Sequence, residues 1–252
     1  MTAWLNANRK DAHYFWSLLG VLPFLVSPFN LGAAPVSWAK WPGFAKGIEV
    51  TLLDAVALSI LLARFPARNP LPFKGVFLAY IAAVVIVIPL SDVPMSSSFY
   101  PWQLLRVFLC FAAVARVCAE PGGPEAIIRG LAIGVSYHAA LSILDRLGGT
   151  VQAKGGMGHQ NLLGMMTHMV LLPCFAWVMA TGRSGWAKIG VAAAAIAVTL
   201  TASRATIAFA AVGFATLFIL AGSFRWNGRK AKIGIAAALG LAIAGPIAAQ
   251  SF

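Results

Sequence analysis

The feature that most constrains this chain is a single arginine inside a long apolar run. Residues 189–223 are largely apolar, and Arg204 lies near their middle in the segment TLTASRAT. As one helix the run would be about 50 Å long, well beyond the ~30 Å hydrocarbon core of a bilayer. An arginine at the bilayer centre costs at least roughly 3 kcal/mol. Because basic residues flank both ends, we predict a hairpin of two short spans with Arg204 at its extracytoplasmic tip.

The composition predicts a polytopic membrane protein. Of the residues, 60% are hydrophobic and only 10% are charged, and the mean hydropathy is +0.83. A soluble domain carries about 25% charged residues. The net charge of +12 is spread through short loops between apolar runs, which is typical of topology determinants, so no nucleic-acid partner is inferred. The cysteines lie in or beside apolar spans, and we predict no disulfide, metal site or cofactor.

The hydropathy pattern predicts an all-α transmembrane bundle, a single membrane domain over residues 1–252. We expect about nine spans, with the N-terminus in the cytoplasm and the C-terminus outside. The tryptophans Trp38 and Trp41 are expected in an interfacial loop. The predicted spans are 14–34, 47–62, 75–90, 101–117, 126–144, 162–180, 189–203, 205–223 and 233–249.

The positions of the basic residues agree with this topology, because most of them fall on the predicted cytoplasmic side. Five fall outside, and Arg106 lies within a span. The residues predicted inside are Arg9, Lys10, Arg64, Arg68, Lys74, Arg116, Arg129, Arg183, Lys188, Arg225, Arg229, Lys230 and Lys232.

A cationic cluster is predicted at the outer membrane boundary. Guanidinium groups stay ionised and bind phosphate oxygens bidentately, so the cluster favours a diphosphate site. The alternative is that the loop residues are simply solvated, and that the arginines within spans form buried pairs or snorkel. The cluster comprises Arg106, Arg146, Lys154, His159 and Arg204, with Asp92 and Asp145 nearby.

A Gly-rich loop, VQAKGGMGHQN, directly precedes the predicted span 162–180. Such a loop at a helix N-terminus can offer backbone N–H groups to an anion, with Asn161 as the N-cap, although a purely structural turn is an equal alternative. We interpret His138 and His168 as hydrogen-bonded core residues.

Two acidic residues of the predicted span 47–62, Glu49 and Asp54, are five positions apart and should not share one helical face. Hydrogen bonding between helices is the simpler account of these carboxylates, and a shared polar pocket is the alternative.

The Gly-rich GMGHQN loop, followed one span later by TLTASRAT, resembles the O-antigen ligase/polymerase family. The resemblance covers most of residues 47–223, and its specific parts are the loop and the Ser203–Arg204 pair. It implies metal-independent glycosyl transfer at the outer face of a bacterial inner membrane, from an undecaprenyl diphosphate carrier to lipid A core sugar or to a growing glycan. Arg204 would match the family's arginine that holds the diphosphate. From the cationic cluster we predict Arg106, His159 and Arg146 as further binding residues.

The family also has a large outer loop, carrying a second arginine and a histidine that activates the acceptor, after further spans. No residue of this chain matches that histidine. Either the sequence is the N-terminal portion of a longer protein, with the catalytic base expected beyond Phe252, or the protein cannot perform the family's reaction. Two alternatives remain. One is a transporter with Glu49, Asp54 and His138 along its pathway, and the other is a non-catalytic assembly subunit.

Overall fold

The chain is predominantly α-helical, which confirms the predicted class apart from one two-stranded sheet. Where one membrane domain was predicted, the contacts divide the chain into two compact units, Met1–Ile127 and Ile128–Phe252. A computed structural model describes residues 9–41, 45–63, 70–182, 184–223, 228, 230–235 and 238–240.

The first unit is organised around one long helix, α5, against which the shorter helices α1, α2 and α3 pack. Its buried interior includes Phe24 of α1, Ile60 of α2 and Val117 of α5. A short 3-10 turn follows α3. The elements in order are α1 (Arg9–Leu25), β1 (Gly32–Ser37), β2 (Gly47–Thr51), α2 (Leu52–Leu62), α3 (Lys74–Val87), α4 (Pro94–Ser97) and α5 (Phe99–Cys118).

An antiparallel hairpin takes the place of parts of two predicted spans. Strands β1 and β2 pair with Gly32 opposite Thr51 and Ser37 opposite Gly47, whereas residues 32–34 and 47–51 were predicted to be helical. Ile48 and Val50 alternate with polar neighbours, which is the period-two pattern of a strand, and an average over a long hydropathy window does not detect it. The spans predicted at 14–34 and 47–62 are therefore shortened to helices ending at Leu25 and beginning at Leu52.

The second unit is a bundle in which α7 is central. It contains most of α6 (Gly123–Leu147), then α7 (Gln160–Thr181), α8 (Gly185–Leu200) and α9 (Arg204–Ser223). Helix α8 runs antiparallel to α7 and α9 runs parallel to it, and both pack directly on it. At Gly190 of α8, a Cβ would lie 2.7 Å from the sulfur of Cys174 in α7. Such small-residue contacts are typical of helices packed within membranes.

In the part of the chain that the structure describes, four helices are long and apolar enough to cross a membrane, which indicates a membrane protein. They are Pro94–Cys118, Gly123–Leu147, Gln160–Thr181 and Arg204–Ala221, and they match four of the predicted spans. Shorter apolar helices at Ala12–Leu25, Leu52–Leu62, Lys74–Leu90 and Gly185–Leu200 overlap four more. The count of nine spans and the orientation stay predictions. Most of the ninth span and the predicted topology residues Arg64, Arg68, Arg183, Arg225 and Arg229 lie outside the described residues.

The predicted break in the run 189–223 is confirmed. Helix α8 ends at Leu200 and α9 begins at Arg204, so three residues make the turn. Within that turn Ala202 is buried with φ of +48°, a left-handed conformation that is uncommon for alanine. The arginine is therefore the first residue of a helix, next to a sharp reversal.

Candidate anion-binding site

The Gly-rich loop folds back onto the end of α6 through one carboxylate. Oδ2 of Asp145 accepts hydrogen bonds from the backbone N–H groups of Lys154 and Gly155, each at 2.8 Å. The carbonyl of the same aspartate accepts from Thr150 N at 3.0 Å. Hydrogen bonds to an ionised acceptor are about twice as strong as neutral ones. The aspartate expected beside the cationic cluster thus shapes the loop backbone.

Arg146, predicted to bind a diphosphate, also contacts the loop backbone. Its Nη1 donates to the carbonyl of Val151 and, at 3.4 Å, to that of Thr150. Because these bonds lie within five residues of Arg146, the guanidinium stabilises the first turn of the loop. Any phosphate contact by Arg146 would use the N–H groups of Nε and Nη2, because Nη1 already donates to the loop carbonyls.

His138 is fully buried and anchors the middle of the loop. Its Nδ1 donates to the carbonyl of Gly155, and its own carbonyl accepts from Ser142 Oγ at 2.7 Å. Gly155 has φ of +54°, and a Cβ there would lie 2.6 Å from Ser142 Oγ, so only glycine fits. The interpretation of His138 as a hydrogen-bonded core residue is confirmed.

The N-cap of α7 is His159, and the prediction of Asn161 in this role was wrong. Nδ1 of His159 accepts from Asn161 N at 3.1 Å. The Asn161 side chain is instead used elsewhere, because its Oδ1 accepts from Ser203 Oγ at 3.3 Å. His159 is exposed, and with Nδ1 acting as acceptor the neutral ring carries its proton on Nε2.

The turn before Arg204 is built by its own hydroxyl groups. Thr201 is fully buried and its Oγ1 donates to the carbonyl of Val198 at 2.7 Å. Ser203 precedes α9, and its Oγ accepts from Thr206 N at 3.4 Å, the bond expected of an N-cap serine. Arg204 follows as an exposed residue in the first turn of the helix.

The loop and the turn contact each other at one end of the second unit. The backbone N–H of Ala153 donates to the carbonyl of Leu200 at 3.1 Å. Deeper between the helices, His168 Nε2 donates to the carbonyl of Thr206 at 2.9 Å, which confirms its interpretation as a core residue. With the contact of Asn161 to Ser203, these bonds join the N-termini of α7 and α9. We call this end of the unit, residues 145–161 and 200–206, the loop–turn site.

Exposed basic side chains make the loop–turn site a candidate anion-binding site. Helices α7 and α9 begin there with a partial positive charge at each N-terminus, whereas α6 and α8 end there with a partial negative charge at each C-terminus. Arg204 and His159 are exposed around these termini, and Lys154 is an exposed loop residue whose side chain is assigned no part in binding. Among the residues that the structure describes, no group of three or more His, Cys, Asp and Glu side chains is placed to hold a metal ion.

Arg106, the other predicted diphosphate ligand, belongs to the first unit and is surrounded by polar groups. Its Nε lies 2.9 Å from Asp54 Oδ2 and its Nη1 lies 3.4 Å from Glu49 Oε2. It also donates to Gln103 and Thr51. Only 16% of its side chain is exposed.

The two carboxylates meet at Arg106 because they do not lie on one helix. Glu49 is in β2, whereas Asp54 is in the first turn of α2 and accepts from Thr51 N at 2.7 Å and from Thr51 Oγ1 at 2.8 Å. The helical assignment of Glu49 was therefore wrong, whereas the expected hydrogen bonding between helices is confirmed for Asp54, which pairs with Arg106 of α5. The structure gives Asp54, which the transporter hypothesis would use, an ion pair and two further hydrogen bonds.

No protein-family model, curated protein or solved structure matches this chain. The likeness to the O-antigen family therefore depends on the two motifs and the predicted topology. Sequence reasoning did not assign roles to Ser203 and Asp145. A serine directly before the helix that starts at Arg204 is a recognisable N-cap signal, whereas nothing in the sequence indicates that Asp145 binds backbone nine residues later.

Proposed function

We propose that the chain is the membrane part of a glycosyltransferase of the O-antigen ligase or polymerase type in a bacterial inner membrane. It would act at the outer face on a glycan carried by undecaprenyl diphosphate. The observation that carries the proposal is the contact between the two motifs on which the resemblance depends. The Gly-rich loop and the Ser203–Arg204 turn are 42 residues apart in sequence at the contact of Asn161 with Ser203, and they form one site.

Arg204 is the residue proposed to hold the diphosphate. A planar guanidinium pairs bidentately with phosphate oxygens, and the N-terminus of α9 adds a favourable dipole. Exposed helix termini contribute about 0.3–1 kcal/mol toward an anion, rising to about 2 kcal/mol where the geometry is partly buried. The arginine is therefore expected to supply most of the binding energy at this site.

His159 is proposed as a second donor to the diphosphate. Its Nδ1 accepts from the backbone of α7, so Nε2–H is the group that faces outward to a phosphate oxygen. Arg146 has a different proposed part, because its bonds to the loop carbonyls keep the loop in place beside the diphosphate.

In the transfer, the hydroxyl oxygen of the acceptor forms a bond to the anomeric carbon of the glycan. The bond from that carbon to the phosphate oxygen breaks, and the diphosphate leaves with its electron pair. Arg204 and the helix N-termini stabilise the negative charge that develops there. The hydroxyl proton passes to a base, and we assign that role to no residue of this chain. The resemblance places that base on the family's outer loop.

The proposal is tested by Arg204→Ala in the full-length protein, expressed in a strain whose own gene is deleted. Surface glycan is read by electrophoresis, and membrane insertion by protease accessibility. We expect loss of glycan transfer with normal insertion. Lys154→Ala is the matched control, since it removes one exposed positive charge from the same loop, and it should transfer normally.

The same cells distinguish the two reaction types. Short glycan chains in the Arg204→Ala strain would indicate a polymerase, whereas free core with accumulated lipid-linked glycan would indicate a ligase. Unchanged glycan display in the Arg204→Ala strain would contradict the proposal.

A further inference from the structure

A deep apolar cleft runs along the second unit between α7, α8 and α9. Its volume is about 340 Å³. Phe175 of α7, Val198 of α8 and Phe214 of α9 line its walls. Ile233, in the helical segment after α9, also lines it.

The cleft exists because both neighbouring helices pack mainly on α7 and make few contacts with each other. Close contacts at Gly190 with Cys174 fix α8 to α7, and close contacts at Gly164 with Thr206 fix α9 to α7. The face of α8 that lines the cleft includes two alanines, Ala192 and Ala195. These small residues leave space between the two helices, and among the described residues of this unit no side chain fills it.

Lys188 is the one charged residue that lines the cleft, within the part of the chain that the structure describes. It lies in the first turn of α8 and is exposed, two residues after the exposed Trp186. Tryptophan and lysine at a helix end are typical of the membrane–water interface. The charge distribution in the sequence places this end of α8 at the cytoplasmic face.

We propose that this cleft binds an anionic phospholipid, with one acyl chain along α8 and the phosphate beside Lys188. An acyl chain matches the apolar walls, and a phosphate complements the single ammonium group at the end. Another lysine of this unit, Lys230, is already used differently, because its Nζ donates to the carbonyl of Ala221 at 3.0 Å. Among the described residues that line the cleft, Lys188 is thus the cation that a lipid phosphate would contact.

The ligand is a phospholipid and not the proposed glycan donor. Lys188 is near the start of α8, whereas Arg204 follows its other end, and the 16 residues of α8 span about 24 Å. The phosphate at Lys188 therefore belongs to the leaflet opposite the one proposed for the diphosphate. The inference is independent of the proposed function and stands or fails separately.

The test uses the full chain, purified and reconstituted in phosphatidylcholine vesicles. The probe is phosphatidylglycerol with a photoactivatable diazirine in its acyl chain, and the crosslinked residues are mapped by peptide mass spectrometry. We expect adducts concentrated on α8 between Val191 and Thr199. In Lys188→Gln the yield should fall about fivefold, the value expected for one basic residue near an anionic lipid.

Two further variants test the cleft itself. Ala195→Trp fills the cleft and should abolish the adducts on α8. Ala208→Trp, at an exposed position of α9 that does not line the cleft, should leave them unchanged. If Ala195→Trp does not fold, the adduct yield of Lys188→Gln still tests the inference, since this variant changes only an exposed side chain.

Three results would overturn the inference. The first is equal labelling by a phosphatidylcholine probe with the same diazirine, which would indicate a neutral lipid. The second is an even spread of adducts over all lipid-facing helices. The third is an unchanged yield in Lys188→Gln.

Discussion

The closest approach between α7 and α9 provides a sharp test of how Arg204 is positioned. At Gly164, a Cβ would lie 2.1 Å from Thr206 Oγ1, 2.8 Å from Cγ2 and 3.0 Å from Cβ. Two of the three staggered positions on the threonine face Gly164, so any rotamer keeps at least one heavy atom there. Since ordinary contact begins at 3.4 Å, Gly164→Ala forces the first turn of α9 away by up to about 1.3 Å.

The expected consequences follow from that displacement. Overpacking of this kind destabilises a protein by about 1–3 kcal/mol. Because Arg204 is two residues before Thr206, it moves with the turn, and a misplacement of about 1 Å in a catalytic site can cost roughly a hundredfold in rate. Thermal unfolding in detergent measures the first effect, and glycan transfer per inserted molecule measures the second.

Two further variants separate positioning from stability. Gly190→Ala creates a similar clash, 2.7 Å from the sulfur of Cys174, between α7 and α8. It should destabilise the protein without changing transfer by the folded molecules. Thr206→Ala removes Oγ1 and Cγ2. When it is combined with Gly164→Ala, it should partly restore both stability and glycan transfer. If Gly164→Ala transfers normally when corrected for inserted protein, or loses no more activity than Gly190→Ala, the account of how Arg204 is positioned is incorrect.

Further predictions concern the two polar networks. Asp54→Asn leaves Arg106 without its closest carboxylate in a mostly buried setting, and we expect a loss of about 3 kcal/mol in the free energy of unfolding. Adding Arg106→Gln should recover part of it in the same thermal assay, whereas no recovery would contradict the pairing. Asp145→Ala removes the acceptor for two loop N–H groups, so amide exchange at Lys154 and Gly155 should accelerate about tenfold or more. Unchanged exchange at both amides would argue against the role of this carboxylate.

Some features of the fold could be predicted from local sequence because a strong physical penalty enforces them. The break before Arg204 follows from the cost of an arginine inside a long apolar run, and the structure has it at the expected residue. The histidines at 138 and 168 lie in apolar stretches, where a polar ring must find a hydrogen-bond partner. Both find backbone carbonyls.

Other features depend on contacts between distant residues, which local patterns do not specify. Arg106 meets Asp54 across 52 positions of sequence. His159 caps α7, and the side chain of Asn161 is not available for that role because it accepts a hydrogen bond from Ser203, 42 residues away. The hairpin of β1 and β2 was missed because its period-two pattern occupies only five or six residues in each strand, inside stretches that hydropathy assigns to helices.

The measurement that tests the central claim most directly is the affinity of the purified full-length protein for a polyprenyl diphosphate. Native mass spectrometry would compare the unaltered protein with Arg204→Ala, Arg204→Lys and Lys154→Ala. Loss of charge-assisted hydrogen bonds from one arginine predicts binding weaker by about tenfold to a hundredfold in Arg204→Ala, with a partial loss in Arg204→Lys. Lys154→Ala should bind nearly as the unaltered protein does. Equal affinity in Arg204→Ala, or an equal loss in Lys154→Ala, would contradict the claim that the loop–turn site presents Arg204 to a diphosphate.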